Sequence, residues 1–97
     1  MSVQYVVNIT VENPESLAKY REGAGAALAK HGGSLVSALP EPQVLECSVS
    51  VPSMTAIIEF PSKEKATAWR EDPELAELHA LRTGTGATSV IELPALK

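Results

Sequence analysis

His79 and Arg82 stand three residues apart in a segment with helical spacing, so their side chains share a face, and Thr83-Gly84-Thr85-Gly86-Ala87 follows directly. An imidazole with a reference pKa near 6.5 beside a guanidinium could hold a carboxylate or enolate oxygen and move a proton, and the glycines could turn backbone N–H groups toward the same anion. The pair also fits a plain helix C-terminus, where basic side chains are favoured. Glu59 is a third candidate. On a central strand it would be a base if burial raised its pKa, or a carboxylate that pairs across a subunit interface or sits in a wet barrel interior. Asn8 is expected beside it on the neighbouring strand. Tyr20 and Trp69 each carry a large apolar area and one polar tip, which suits a pocket wall or a core; Glu46 by itself reads as a solvated or turn carboxylate.

Other chemistries find little support. Cys47 is the only cysteine, so it forms no intrachain disulfide, and without a second cysteine or an evident base it reads as an inert thiol whose loss should be tolerated. No Cys/His spacing suggests a metal. Gly84-Thr85-Gly86 lacks the third glycine and preceding strand of a dinucleotide fingerprint, and no Walker lysine follows it, so no cofactor is expected. Asn8-Ile9-Thr10 matches a glycosylation sequon, but it lies inside an apparent strand and reads as chance.

The elements that must position these residues follow from periodicity. Val3, Tyr5, Val7, Ile9 and Val11 alternate with Gln4, Val6, Asn8, Thr10 and Glu12, which predicts a strand with one dry face. Asn13-Pro14-Glu15 supplies a cap, a first-turn proline and an acid for the helix dipole. Leu17, Tyr20, Ala24, Ala27, Leu28 and His31 then mark the inner face of a helix that Gly32-Gly33 ends. Gly23 and Gly25 within it each cost about 1 kcal/mol against alanine and predict a close backbone approach or an irregularity. Ser34–Leu39 reads as a second strand, placed at an edge by Pro40 and Pro42, with a short β-like piece over Val44–Val49. Met54–Phe60 is a central strand. Ser62 caps a short helix with Ala66 and Trp69, Asp72-Pro73-Glu74 starts another with Leu75, Leu78, His79 and Arg82, Thr83–Ala87 is a loop, and Thr88–Leu93 is the last strand.

The order β, α, β, β, α, β predicts an α+β domain of ferredoxin-like type over 1–97, a four-stranded antiparallel sheet with both helices on one face. The other face would show Val6, Asn8, Thr10, Thr55, Ile57 and Glu59 beside Val90 or Ile91, too apolar for open solvent and too polar for an ordinary core. A second copy packed over it resolves that mismatch. A 97-residue chain buries little surface alone, which also favours a homodimer. With 44% hydrophobic and 21% charged residues the chain should fold. Twelve acids and eight basic residues, scattered to a net −4, argue against nucleic acid. The absence of a basic, apolar leader or an 18-residue apolar run predicts a cytoplasmic protein without membrane contact.

Tyr5-Val6-Val7, Pro14-Glu15 with Tyr20, Lys30-His31-Gly32-Gly33, Val44-Leu45-Glu46, Ile58-Glu59-Phe60-Pro61-Ser62, Ala68-Trp69, Asp72-Pro73-Glu74 and Arg82, in that order, resemble the bacterial family called domain of unknown function 1330, of the dimeric α+β barrel superfamily. The resemblance implies a homodimer whose sheets face each other, with pockets between sheet and helices or near the barrel mouth, and it alone keeps Glu46 as a candidate ligand contact. It implies no reaction. Superfamily relatives include cofactor-free monooxygenases, isomerases, cyclases and haem enzymes. Three functions therefore stand: cofactor-independent proton transfer (isomerisation or cyclisation, or a cofactor-free oxygenation) on a small carbonyl, phenol or carboxylate compound; non-catalytic binding of such a molecule; or an accessory dimer.

Overall fold

The computed structural model describes residues 2–40, 43–46 and 51–94. Strand β1 (Val3–Val11) leads into helix α1 (Pro14–Lys30), strand β2 (Ser34–Pro40), strand β3 (Met54–Phe60), helix α2 (Lys63–Glu71), a 3-10 turn (Pro73–Leu75), helix α3 (Ala76–Thr83) and strand β4 (Gly86–Pro94). The strands form one antiparallel sheet in the order β2-β3-β1-β4. This is the expected α+β ferredoxin-like arrangement, with β1 and β3 central and the proline-ended β2 at an edge.

Alternation in β1 becomes alternation in burial: Val3, Tyr5, Val7 and Ile9 are buried, and their neighbours are not. Ile58 and Phe60 continue that surface on β3, and Leu17, Ala27, Ala66 and Trp69 cover it from the helices. Tyr5, Phe60 and Trp69 meet with ring centres 5.5 to 6.2 Å apart, tilted or edge-on as aromatic quadrupoles prefer. Asn13 accepts from the Ser16 N–H and Ser62 from the Lys65 N–H, the two N-caps foreseen. Asp72 does more than start a turn. Its carboxylate accepts from Glu74 N–H, from Lys30 Nζ at 2.7 Å and from His31 Nε2 at 2.8 Å, tying the end of α1 to the bend between α2 and α3.

Several expectations change. The final strand begins at Gly86, two residues earlier than the small side chains suggest, and α3 runs through Thr83. Val44–Glu46 is irregular rather than β-like, and Cys47 and the rest of that piece lie outside the described residues. Gly23 does mark a close approach, since a Cβ there would meet Leu78 Cδ1 at 3.2 Å, whereas a Cβ on Gly25 would meet nothing within 4 Å. Among the described residues no helix is long and apolar enough to cross a membrane.

Gly86 adopts φ +155°, and a Cβ there would collide with the Thr10 carbonyl oxygen across the β1–β4 pairing. Gly86→Ala should therefore destabilise the protein by about 2 kcal/mol or more in urea unfolding, whereas Gly25→Ala should stabilise it by about 0.5–1 kcal/mol through helix propensity.

Candidate functional site

A cavity of about 490 Å³ opens between α1 and the helix-bearing face of the sheet, within the size range of small-molecule sites. Its floor is β-sheet, with Val7 and Ile9 of β1 beside Ala56 and Ile58 of β3. Leu35 and Ala38 bring the β2 edge to it, and Leu17, Ala24, Gly25 and Leu28 line it from α1. Small residues on α1 leave this space open: Gly25 is exposed, and nothing lies within 4 Å of where its Cβ would be. Tyr20, Trp69, Arg21 and Met54 complete the wall. Thus Tyr20 and Trp69, foreseen from sequence, border the cavity, while Glu59, Asn8, Glu46, His79 and Arg82 are not among its lining residues.

His79 and Arg82 are nonetheless brought together. Arg82 Nη1 donates to His79 Nδ1 at 2.9 Å, and because a guanidinium only donates, that nitrogen is unprotonated. The ring proton is therefore on Nε2, which donates to the Trp69 carbonyl at 2.8 Å. With both nitrogens engaged, an acid/base role for His79 would require breaking one of these bonds. The imidazole also stands edge-on to the Trp69 ring, 4.6 Å between centres. Burial, with the Arg82 charge as a further cause, pushes its pKa below the usual histidine value, against an opposing pull from the Trp69 carbonyl.

Arg82 is only 7% exposed, and its guanidinium lies 5.3 Å from the Trp69 ring centre and 5.8 Å from that of Tyr20. It thus sits behind the cavity wall, stacked on the two rings that form it. None of the ion pairs among the described residues includes it. Its Nε–H and the Trp69 Nε1–H are buried without an acceptor among the described residues, so the packing behind the wall has more donors than acceptors.

The glycine-containing loop does not form an anion nest. Gly84 N–H donates to Ala80 O and Thr85 N–H to Arg82 O, closing α3, while the Thr85 carbonyl accepts from Glu12 and Asn13. Its donors are satisfied by the fold. Glu59 and Asn8 share the uncovered sheet face, but register separates them: Glu59 pairs with Gln4, and Asn8 with Thr55, four residues along β1 and ~13 Å away. Asn8 accepts from Thr55 Oγ1 at 2.9 Å and donates to Ser89 Oγ at 3.4 Å. Glu46 is exposed in its loop. Sequence reasoning missed Arg21 and Met54, whose only signal was proximity in chain or pattern to Tyr20 and to the inner face of β3. Among the described residues no three His, Cys, Asp or Glu side chains gather as metal ligands.

The His79 geometry makes a pH prediction. Its folded pKa lies below the unfolded value near 6.5, so the neutral form's contribution is present above that pH and declines as pH falls toward the folded pKa. Asp72, held below the usual carboxylate range by Lys30 and His31, loses its contribution only at more acid pH, below about 3.8. Stability measured by urea unfolding should therefore fall between pH 7.5 and 5, and the fall should be smaller in His79→Gln.

No curated protein sequence matches the chain. A crystal structure of a protein of unknown function from Rhodopseudomonas palustris superposes with TM-score 0.74 at 20% identity, covering 99% of this chain and 83% of that one. The cofactor-independent oxygenase SnoaB of Streptomyces nogalater superposes at 0.70 and 14% identity, covering 99% and 94%. A dimeric ferredoxin-like protein of unknown function from Jannaschia sp. CCS1 does so at 0.70 and 14%, covering 98% and 100%. At these identities the likeness establishes a common fold. Residues 2–95 match one family along almost their whole length, and the chain belongs to the family described as domain of unknown function (DUF1330).

Proposed function

We propose that the protein is a homodimer, with 1–97 as one dimeric α+β barrel unit, that takes a small, mainly apolar organic molecule into the cavity under α1 and transforms it without a cofactor. The observation that carries this reading is the cavity itself: apolar on nearly all sides, with the Arg82 guanidinium behind its Tyr20–Trp69 wall. Apolar walls suit the body of such a molecule, and a nearby positive charge favours a carbonyl or phenol oxygen that gains negative charge. Arg82, held by His79, would stabilise the charge from behind Tyr20 and Trp69. Proton transfer, as in isomerisation or cyclisation, and cofactor-free oxygenation both use those features. The common fold of SnoaB makes oxygenation the first reaction to test. A second reading, non-catalytic binding, is favoured by one fact: the described lining residues include no His, Asp or Glu.

The dimer is supported by the uncovered sheet face. The register lines up Ile57, Val6 and Ile91 in one apolar row across three strands, beside the polar row Thr55, Asn8 and Ser89. Ile91 and Leu93 on β4 are exposed. A partner sheet would bury this row while the Asn8 bonds satisfy the polar one. Light scattering should give a dimer at micromolar concentration, and Ile57→Glu should shift it to monomer by placing a charge in the seam.

For the cavity, N-phenyl-1-naphthylamine, a neutral apolar dye, should bind with a fluorescence increase. Gly25→Phe, which fills space that no other atom approaches, should abolish the increase while keeping the fold. Conversion of phenols or enolisable ketones by the wild type, lost in Arg82→Lys, would support catalysis, and binding without conversion would support the second reading.

A further inference from the structure

Arg21 is the one charged residue among the described residues lining the cavity. Its side chain reaches from α1 toward β3, where Nη2 lies 3.6 Å from Met54 Sδ, so the guanidinium lies across the cavity mouth on the α1–β3 side. Thioether sulfur is a weak acceptor and leaves the charge uncompensated. The α1 positions adjacent to Arg21 on the helix surface are Leu17, Ala18, Ala24 and Gly25, none of them acidic. None of the ion pairs among the described residues includes Arg21. In a chain with 12 acids and a net charge of −4, a cation at the rim of an apolar cavity with no ion-pair partner among the described residues is a notable arrangement.

A second, independent observation points the same way. Behind the Tyr20–Trp69 wall lies Arg82, 7% exposed and without a carboxylate partner among the described residues. The Nε1–H of Trp69 and the Nε–H of Arg82 find no acceptor there either. The cavity is thus flanked by two cations, with no anion among its described lining residues. Its walls are of low polarity, so a charge placed in it interacts with these groups more strongly than it would in water.

We propose that the ligand is a carboxylate with a single apolar body, an aryl or branched alkyl acid, whose carboxylate is held at the mouth by Arg21 while the body lies over Val7, Ala56 and Ile58. This inference rests on the cavity reading above and narrows its ligand class. A guanidinium at a partly apolar rim can grip a carboxylate at two points, and the Arg82 charge adds to the attraction without contact.

The test is displacement of N-phenyl-1-naphthylamine by a matched pair, 2-naphthylacetate and its neutral analogue 2-naphthylacetamide. The acid should displace the dye from the wild type at roughly tenfold lower concentration than the amide, about 1.4 kcal/mol, and added salt should reduce that advantage. Arg21→Gln should remove most of the advantage while binding the neutral dye as the wild type does. Because Arg21 is exposed, this variant should melt at the wild-type temperature. Equal displacement by acid and amide in the wild type, or an undiminished preference in Arg21→Gln, overturns the inference and leaves the cavity reading standing. Failure of the neutral dye to bind the wild type, or its unchanged binding to Gly25→Phe, overturns the cavity reading and this inference with it.

Discussion

A buried guanidinium with no carboxylate partner among the described residues organises one side of this molecule. Removing such a charge from water is costly, and a counter-ion is the usual compensation. Here Arg82 is instead held by the faces of Tyr20 and Trp69 and by the lone pair of His79 Nδ1. Each is a modest interaction, with cation–π contacts worth about 0.5–2 kcal/mol. Together they set the positions of other groups. The lone pair needed by Arg82 fixes the His79 tautomer, and the remaining N–H of His79 fixes the Trp69 carbonyl at the end of α2. Trp69 in turn presents its ring to the cavity and to the aromatic cluster with Tyr5 and Phe60.

Neighbouring bonds reinforce this arrangement. Leu81 accepts from Ser16 Oγ at 2.6 Å and from Thr85 Oγ1 at 3.0 Å, fastening α3 to the start of α1 and to the turn into β4. Asp72 fastens the far end of α1 to the bend between α2 and α3. The helix that roofs the cavity is thereby anchored at both ends, and its small residues Ala24 and Gly25 leave space between those anchors. A cavity kept open by a roof pinned at its ends needs no bulky side chain to prop it.

The two faces of the sheet are suited to different tasks because β1 and β3 carry opposite chemistry on alternate residues. Val7 and Ile58 face the cavity side, while Val6, Asn8 and Ile57 face away from the helices. Glu59, attractive in sequence as a base, belongs to that second face and is separated from the cavity by the sheet. His79 bonds to Arg82 and to the Trp69 carbonyl and is not among the cavity's lining residues.

Local periodicity was enough to foretell most of the architecture. The alternation from Val3 to Val11, the Asn13-Pro14 cap, the Gly32-Gly33 stop and the Asp72-Pro73 break are each governed by backbone geometry within a few residues, and so were readable in one dimension. The pairing of His79 with Arg82 was readable for the same reason, being one helical turn. What only the folded chain decided was which residues share a space. Whether Glu59 neighbours Asn8 depends on strand register, whether Gly25 marks contact or a gap depends on how far α1 stands from the sheet, and whether Arg82 meets a carboxylate depends on what three separate elements place around it. Arg21 became a cavity residue only because β3, more than thirty positions later in the chain, passes beneath it. Those are long-range distances, set by packing among elements, and composition and spacing do not contain them.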